Sequence, residues 1–280
     1  MRARLVLLLL ALSPLGCILG GPPSGLDRSR TAVSQDSRVQ FIVIHYTSMD
    51  LAGSLEKLSR GNVSSHYLVG DEPEPVVYQL VDEARRAWHA GESSWQGRTA
   101  LNASSVGIEI VNPGNHNDPN APYADYPPLQ IDRVVDLVRD LAARHAVRPH
   151  RIVGHGEIQP QTKQDPGPRF PWRRLAAEGL IPWPDAAQVA AQQPRFAERL
   201  PEAGWFQEKL AAHGFAIAKS GLFDEPTRRV LANFQQRYHP SRYDGVPDAL
   251  TAALLEVCTI PGGLLLRAAE GIKPYRPESP

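Results

Sequence analysis

Cysteine is scarce in this chain: Cys17 and Cys258 are the only two in 280 residues, which leaves at most one disulfide. Net charge is missing as well. Thirty Lys and Arg balance thirty Asp and Glu, so no polyanion-binding surface is indicated and nucleic acid is not an expected partner. There is no apolar run of membrane-spanning length; Leu5 to Leu12 is too short to cross a bilayer comfortably. A His-Glu-x-x-His helix is absent, which counts against the commonest class of zinc peptidase. No internal repeat or low-complexity tract is present. What remains has ample apolar content for a core, and its length fits two domains better than one.

Two apolar runs end in histidine. Val39 to Ile44 leads into His45, and Arg151-Ile152-Val153-Gly154 leads into His155. Asp165 follows ten positions after His155, on a loop stiffened by Pro166 and Pro168. Two strand-end histidines and a loop carboxylate could give one zinc ion three ligands and leave a fourth position open for water, the catalytic arrangement. A lone strand-end histidine is more often structural, so the weight lies in the residues around them. Ser105 to Val111 reads as a strand with Glu109 inside it, where an unpaired carboxylate is expensive. Glu109 is therefore either a salt-bridged edge residue or a general base facing the metal site.

The chain resembles a known family at six separated blocks, in the family's order. These are Phe41-Ile42-Val43-Ile44-His45-Tyr46-Thr47, Ser65-His66-Tyr67, Trp88-His89-Ala90-Gly91, Ser105-Val106-Gly107-Ile108-Glu109-Ile110, Ile152-Val153-Gly154-His155 and Lys163-Gln164-Asp165-Pro166-Gly167. The family is that of the zinc N-acetylmuramoyl-L-alanine amidases of the amidase-2 type, which includes phage amidase lysozymes and peptidoglycan recognition proteins. The resemblance covers about residues 38–178. It implies an α/β fold, a central mixed β-sheet flanked by helices. It implies one zinc per chain on His45, His155 and Asp165, with Glu109 and Lys163 as the catalytic pair. The implied reaction is hydrolysis of the amide between the muramic acid lactyl group and L-alanine of the stem peptide, in cell-wall turnover. Peptidoglycan or muropeptides are the expected partners. The alternatives are a non-catalytic peptidoglycan-recognition module and a zinc peptidase acting within the stem peptide. Two readings stay open for His66 and His89, lining the cleft or hydrogen-bonding in the core. Asn112 is either a substrate contact or part of an ordinary Asn-Pro-Gly turn.

Residues 1–16 read as a signal peptide. Leu15-Gly16-Cys17 resembles a bacterial lipoprotein box, with Pro14 as a departure from its pattern. Lipidation at Cys17 would make the protein an outer-membrane lipoprotein facing the periplasm, anchored to the membrane by lipid; a soluble periplasmic or secreted protein is the alternative. Residues 17–37 read as a tether, 38–181 as the catalytic domain and 182–199 as a linker with a short helix over 185–193. Within the catalytic domain, Ile131 to His145 has the clearest helical spacing, and residues 115–126 read as a surface loop beside the cleft.

Residues 200–280 read as a small all-α domain of three helices with a C-terminal tail. The helices are expected over 202–213, 225–238 and 248–257. Gly221-Leu222-Phe223-Asp224-Glu225-Pro226-Thr227 and Asp244-Gly245-Val246-Pro247-Asp248-Ala249-Leu250-Thr251 follow the same turn-then-helix logic. The segment resembles a peptidoglycan-binding domain. It is expected to raise local substrate concentration without touching the chemistry.

Overall fold

Alternation builds the sheet. In β1 (Phe41–Tyr46), Ile42 and Ile44 face one side, while Phe41, Val43 and His45 face the other. The structure, a computed structural model, describes residues 25–116, 118 and 121–277. The expected signal segment and Cys17 lie outside the described residues. The chain divides into two units, residues 1–36 and 37–280. In the first, residues 25–36 are exposed and form neither helix nor strand.

The second unit continues with β2 (Tyr67–Val69), β3 (Val77–Gln79), a small β4–β5 hairpin (Ser94–Trp95, Arg98–Thr99), β6 (Ser105–Ile110) and β7 (Ile152–Gly154). The main sheet has the order β3-β2-β6-β1-β7, parallel except for β3. This is the expected mixed sheet. Its register sets Phe41 beside Ser105, Val43 beside Gly107 and His45 beside Glu109. The side chains of five of these project from one face, on which Gly107 has none.

The opposite face carries Ile42, Ile44, Val106, Ile108 and Ile110, packed under α2. Between β1 and β2 runs α1 (Leu51–Arg60); α2 spans Pro128–His145. Proline opens α2 in its first turn, where its missing N–H costs nothing. Ile131, Val134, Val135, Val138 and Leu141 recur at helical spacing and are buried. Each such side chain contributes about 1.5–3 kcal/mol by leaving water.

The site-bearing face is covered lower down by the C-terminal helices. After the short α3 (His155–Ile158) and α4 (Trp172–Ala177) come β8 (Trp183–Pro184), α5 (Ala186–Glu198), α6 (Ala203–His213), α7 (Glu225–Tyr238) and α8 (Ala249–Thr259). Phe41, Val43, Val153 and Ile158 share one buried cluster with Phe206, Leu210, Leu231, Phe234 and Leu255. The two sequence modules therefore have a common core. The segment read as a linker, 182–199, is built into it. Val189 and Phe196 of α5 are buried in that cluster, α5 packs against α8, and Trp183–Pro184 pairs with β9 (Leu264–Ala268). The expected tail forms a hairpin of β9 with β10 (Gly271–Pro274).

The repeated turn logic has a shared closure. Gln207 Oε1 accepts from Gly221 N–H at 2.9 Å, and its amide donates to Thr227 Oγ1 at 2.9 Å. Gln235 does the same with Gly245 at 2.9 Å and Thr251 at 3.2 Å. In each case an aspartate, Asp224 or Asp248, caps the next helix through the threonine N–H.

Candidate active site

Parallel strands deliver their C-terminal ends to one edge, and a site at such an edge follows from the fold. β1 ends in His45, β7 runs into His155 on α3, and the loop after α3 returns to place Asp165 beside both. Gly156 N–H donates to Asp165 O at 2.8 Å, and Tyr126 O–H donates to Pro166 O at 2.8 Å, fixing that return. His45, His155 and Asp165 are 1%, 5% and 8% exposed. His45 Nδ1 lies 2.9 Å from His155 Nδ1, and each lies 3.1 Å from Asp165 Oδ2.

The surrounding hydrogen bonds fix what those three atoms are. Ser105 O–H donates to Leu101 O at 2.6 Å, so its oxygen accepts from His89 Nε2–H at 3.0 Å. His89 Nδ1 is then an acceptor, and it receives His45 Nε2–H at 3.0 Å. His155 Nε2–H donates to Gln159 Oε1 at 3.1 Å. Both imidazoles thus aim Nδ1 lone pairs at a carboxylate oxygen. Three acceptors within 3.1 Å of one another need a positive charge between them. Tetrahedral coordination at about 2.0–2.1 Å would space such ligands about 3.3 Å apart, so the donor set fits a small divalent metal.

The electrostatics carry the same demand. Burial, followed by the neighbouring His155, pushes His45 down to about 4. Burial opposes the charge on Asp165, yet the neighbouring His155 and His45 outweigh it and hold the carboxyl well below its usual range. Glu109 stands beside His45 in the sheet and lines the same cleft. Burial, then the Asp165 charge, pushes it well above the ordinary carboxylate range, against the pull of Lys163. A cation in the cluster would draw it back down. Among the described residues no group bonds Glu109 Oε2. A carboxylate so placed is poised to exchange a proton with something in the cleft.

The cleft has a volume of about 1100 Å³. Lys163 is exposed on its rim, and Tyr46, Trp88, Asn115 and Tyr123 help to line it. Its far wall comes from the C-terminal helices: Asn233 and Gln236 of α7, then Arg242 and Tyr243. The module expected to stand apart from the chemistry therefore borders the site.

His66 and Asn112 do not reach the cleft. His66 is fully buried, accepting Gly107 N–H at 3.0 Å and donating to Arg85 O at 3.1 Å. Asn112 closes its own turn, accepting Gly114 N–H at 2.8 Å and donating to Asp125 O at 3.1 Å. Of the two readings open for each, these bonds are those of the core histidine and the ordinary turn. His89 fills both roles left open for it, bordering the cleft and bonding in the core. Its ring lies over Gly107, where a Cβ would stand 2.5 Å from His89 Cγ. Ser105 and Gln159 were not singled out from the sequence. Gln159 did leave a signal, standing four residues after His155 and so on the same helical face.

Comparison with known proteins agrees with this geometry. Residues 35–168 match the N-acetylmuramoyl-L-alanine amidase family, and residues 199–255 match a peptidoglycan binding domain. The chain is 40% identical over 238 residues to the N-acetylmuramoyl-L-alanine amidase AmiD of Escherichia coli, covering 82% of this chain and 86% of that one. The crystal structure of AmpDh3 from Pseudomonas aeruginosa superposes with a TM-score of 0.77 at 34% identity, over 82% of this chain and 96% of that one. The complex of E. coli AmiD with the substrate anhydro-N-acetylmuramic acid-L-Ala-D-γ-Glu-L-Lys superposes with a TM-score of 0.74 at 38% identity, over 82% and 92%. Likeness that runs through both modules, at this identity and coverage, makes the chain a member of the N-acetylmuramoyl-L-alanine amidase family.

Proposed function

We propose that this protein is a zinc-dependent N-acetylmuramoyl-L-alanine amidase, cleaving the amide between the lactyl group of muramic acid and L-alanine of the stem peptide. The observation that carries the reading is the convergence of two imidazole lone pairs and one carboxylate oxygen beside an unpartnered glutamate. His45, His155 and Asp165 would hold the zinc. When bound, zinc supplies Lewis-acid chemistry, making a water more acidic and an amide carbonyl more electrophilic. Glu109 takes the proton of the attacking water and later delivers it to the leaving amine. Lys163, on the rim, places its ammonium against the negative charge that develops on the amide oxygen. The cleft has room for a muropeptide, and soluble anhydro-muropeptides of the kind bound by AmiD are the first substrates to try.

Mass analysis of digested muropeptides should show free stem peptides and intact sugar. Products cut within the peptide would make the protein a peptidase, and no products would make it a recognition module. Elemental analysis should find about one zinc per chain. Glu109→Gln should keep that zinc and lose on the order of 100- to 10,000-fold in turnover. Wild-type turnover in that variant would remove Glu109 from the chemistry. At Cys17 we propose a lipid anchor to the outer membrane. Wild type would then fractionate with membranes and Cys17→Ser would not; soluble wild type would refute the anchor.

A further inference from the structure

The C-terminal helices touch the site through one face of α7. Arg229, Asn233, Gln236 and Arg237 stand at positions i, i+4, i+7 and i+8 of that helix, and all four turn toward the amidase half. Arg229 Nη1 donates to Gln161 O at 2.6 Å. Asn233 is 6% exposed, and its amide, which also donates to Arg229 O of its own helix at 3.0 Å, reaches across to Lys163 O at 3.3 Å, with Pro160 O at 3.5 Å. These carbonyls belong to the loop that carries Lys163 and Asp165. A Cβ on Gly156 would lie 1.9 Å from Asn233 Oδ1, so the residue after His155 is one that leaves room for the asparagine.

Arg237 reaches further in. It is 6% exposed, with its guanidinium 4.1 Å over the Trp172 ring. Its Nη1 donates to Glu157 Oε2 at 2.7 Å and to Ile152 O at 3.3 Å. The same Glu157 oxygen accepts Gly154 N–H at 2.7 Å. Arg237 is thereby bonded to both sides of the corner, β7 into α3, on which His155 stands. A helix that served only to hold cell wall would have no need of buried polar side chains directed into a neighbouring catalytic loop.

Building on the amidase reading above, we propose that α7 is a positioning helix of the active site. Asn233 and Arg229 set the loop bearing Lys163 and Asp165, and Arg237 sets the corner bearing His155. None of the three touches the reacting atoms. Misplacing a catalytic group by about 1 Å costs on the order of 100-fold in rate, so small losses of support should be visible.

The test is Asn233→Asp in the full chain, which keeps shape but turns the donor into an acceptor facing the Lys163 and Pro160 carbonyls. Arg229→Ala, at the exposed end of the same face, is the second variant and leaves the buried core untouched. We expect kcat on a soluble anhydro-muropeptide to fall about 10- to 100-fold in Asn233→Asp, with KM changed less than threefold. Zinc should be lost to a chelator several-fold faster than from wild type. Arg229→Ala should show the same pattern more weakly, and Asn233→Gln should not restore it because the longer chain meets Gly156. Wild-type kcat and wild-type zinc retention in both folded variants would overturn the proposal. Zinc retention keeps the two readings apart: if wild type cleaves no muropeptide, the amidase reading fails while the chelator assay still decides the role of α7.

Discussion

The tautomer of His45 is decided by a serine hydroxyl that it does not touch, two hydrogen bonds away through His89. Ser105 gives its proton to Leu101 O, so it must accept from His89, and His89 must accept from His45. The order of the chain leaves Nδ1 of His45 free for a metal. Outer partners of this kind are worth about 10- to 100-fold in metal affinity. His89→Leu should therefore weaken metal binding by about that factor while His45 and Asp165 remain in place. Competition titration with a chromophoric chelator would measure it, and unchanged affinity would break the relay argument. His45, His155, Asp165 and Glu109 were legible in the sequence because strand-end position and a carboxylate in an apolar run are local signals. Ser105 was not. Its part depends on the ring of His89 crossing β6 at Gly107, and no pattern within one strand reveals what lies across it.

Helices and strands were legible where one face is apolar and the other polar. β1, β6, α2 and α7 lie close to where their periodicity puts them. α5 was half seen: its Asp185 cap was within view, but alanines and glutamines dilute its buried stripe of Val189 and Phe196. α6 shows how a single polar ring sits inside such an element. His213 packs against the rings of Trp95, Phe215, Phe234 and Tyr238. Burial pushes it down to about 3, and the Arg237 charge adds to the effect. An unfolded histidine titrates near about 6.5, so as pH falls the unfolded chain takes up the proton first. The stability tied to neutral His213 is complete above about pH 6.5 and is lost as pH falls from there toward 3. His213→Phe fits the aromatic surroundings and removes that loss. Its advantage in urea midpoint over wild type should grow between pH 7 and pH 4; a constant difference would show that His213 does not titrate this way.

At the scale of the molecule, the expectation of a tethered binding module is replaced by a shared core. Sequence composition at 182–199 resembles a linker because a linker and an Ala/Gln-rich helix draw on similar residues, and only packing distinguishes them. A module that only raised local substrate concentration could be deleted, over residues 200–280, with turnover of small substrates spared. The common cluster around Phe41, Val43 and Val153 predicts otherwise. Truncation bares that face and strands Glu157 without Arg237, and losing one partner of a buried pair costs about 3–5 kcal/mol. That is comparable with the whole stability of many domains, about 5–15 kcal/mol. The truncated protein should aggregate or melt far below wild type, with muropeptide turnover lost. A soluble, fully active fragment ending near Leu200 would show the two halves to be independent.

The shared core also sets a timetable. β1 leaves the ribosome as residues 41–46, yet the helices that cover Phe41 and Val43 arrive only with residues 203–259. Contacts so distant in sequence make for slow folding, and the nascent sheet must wait with an apolar face uncovered. Chains halted before α7 would display that face to chaperones and proteases, so premature termination there should yield no stable amidase fragment.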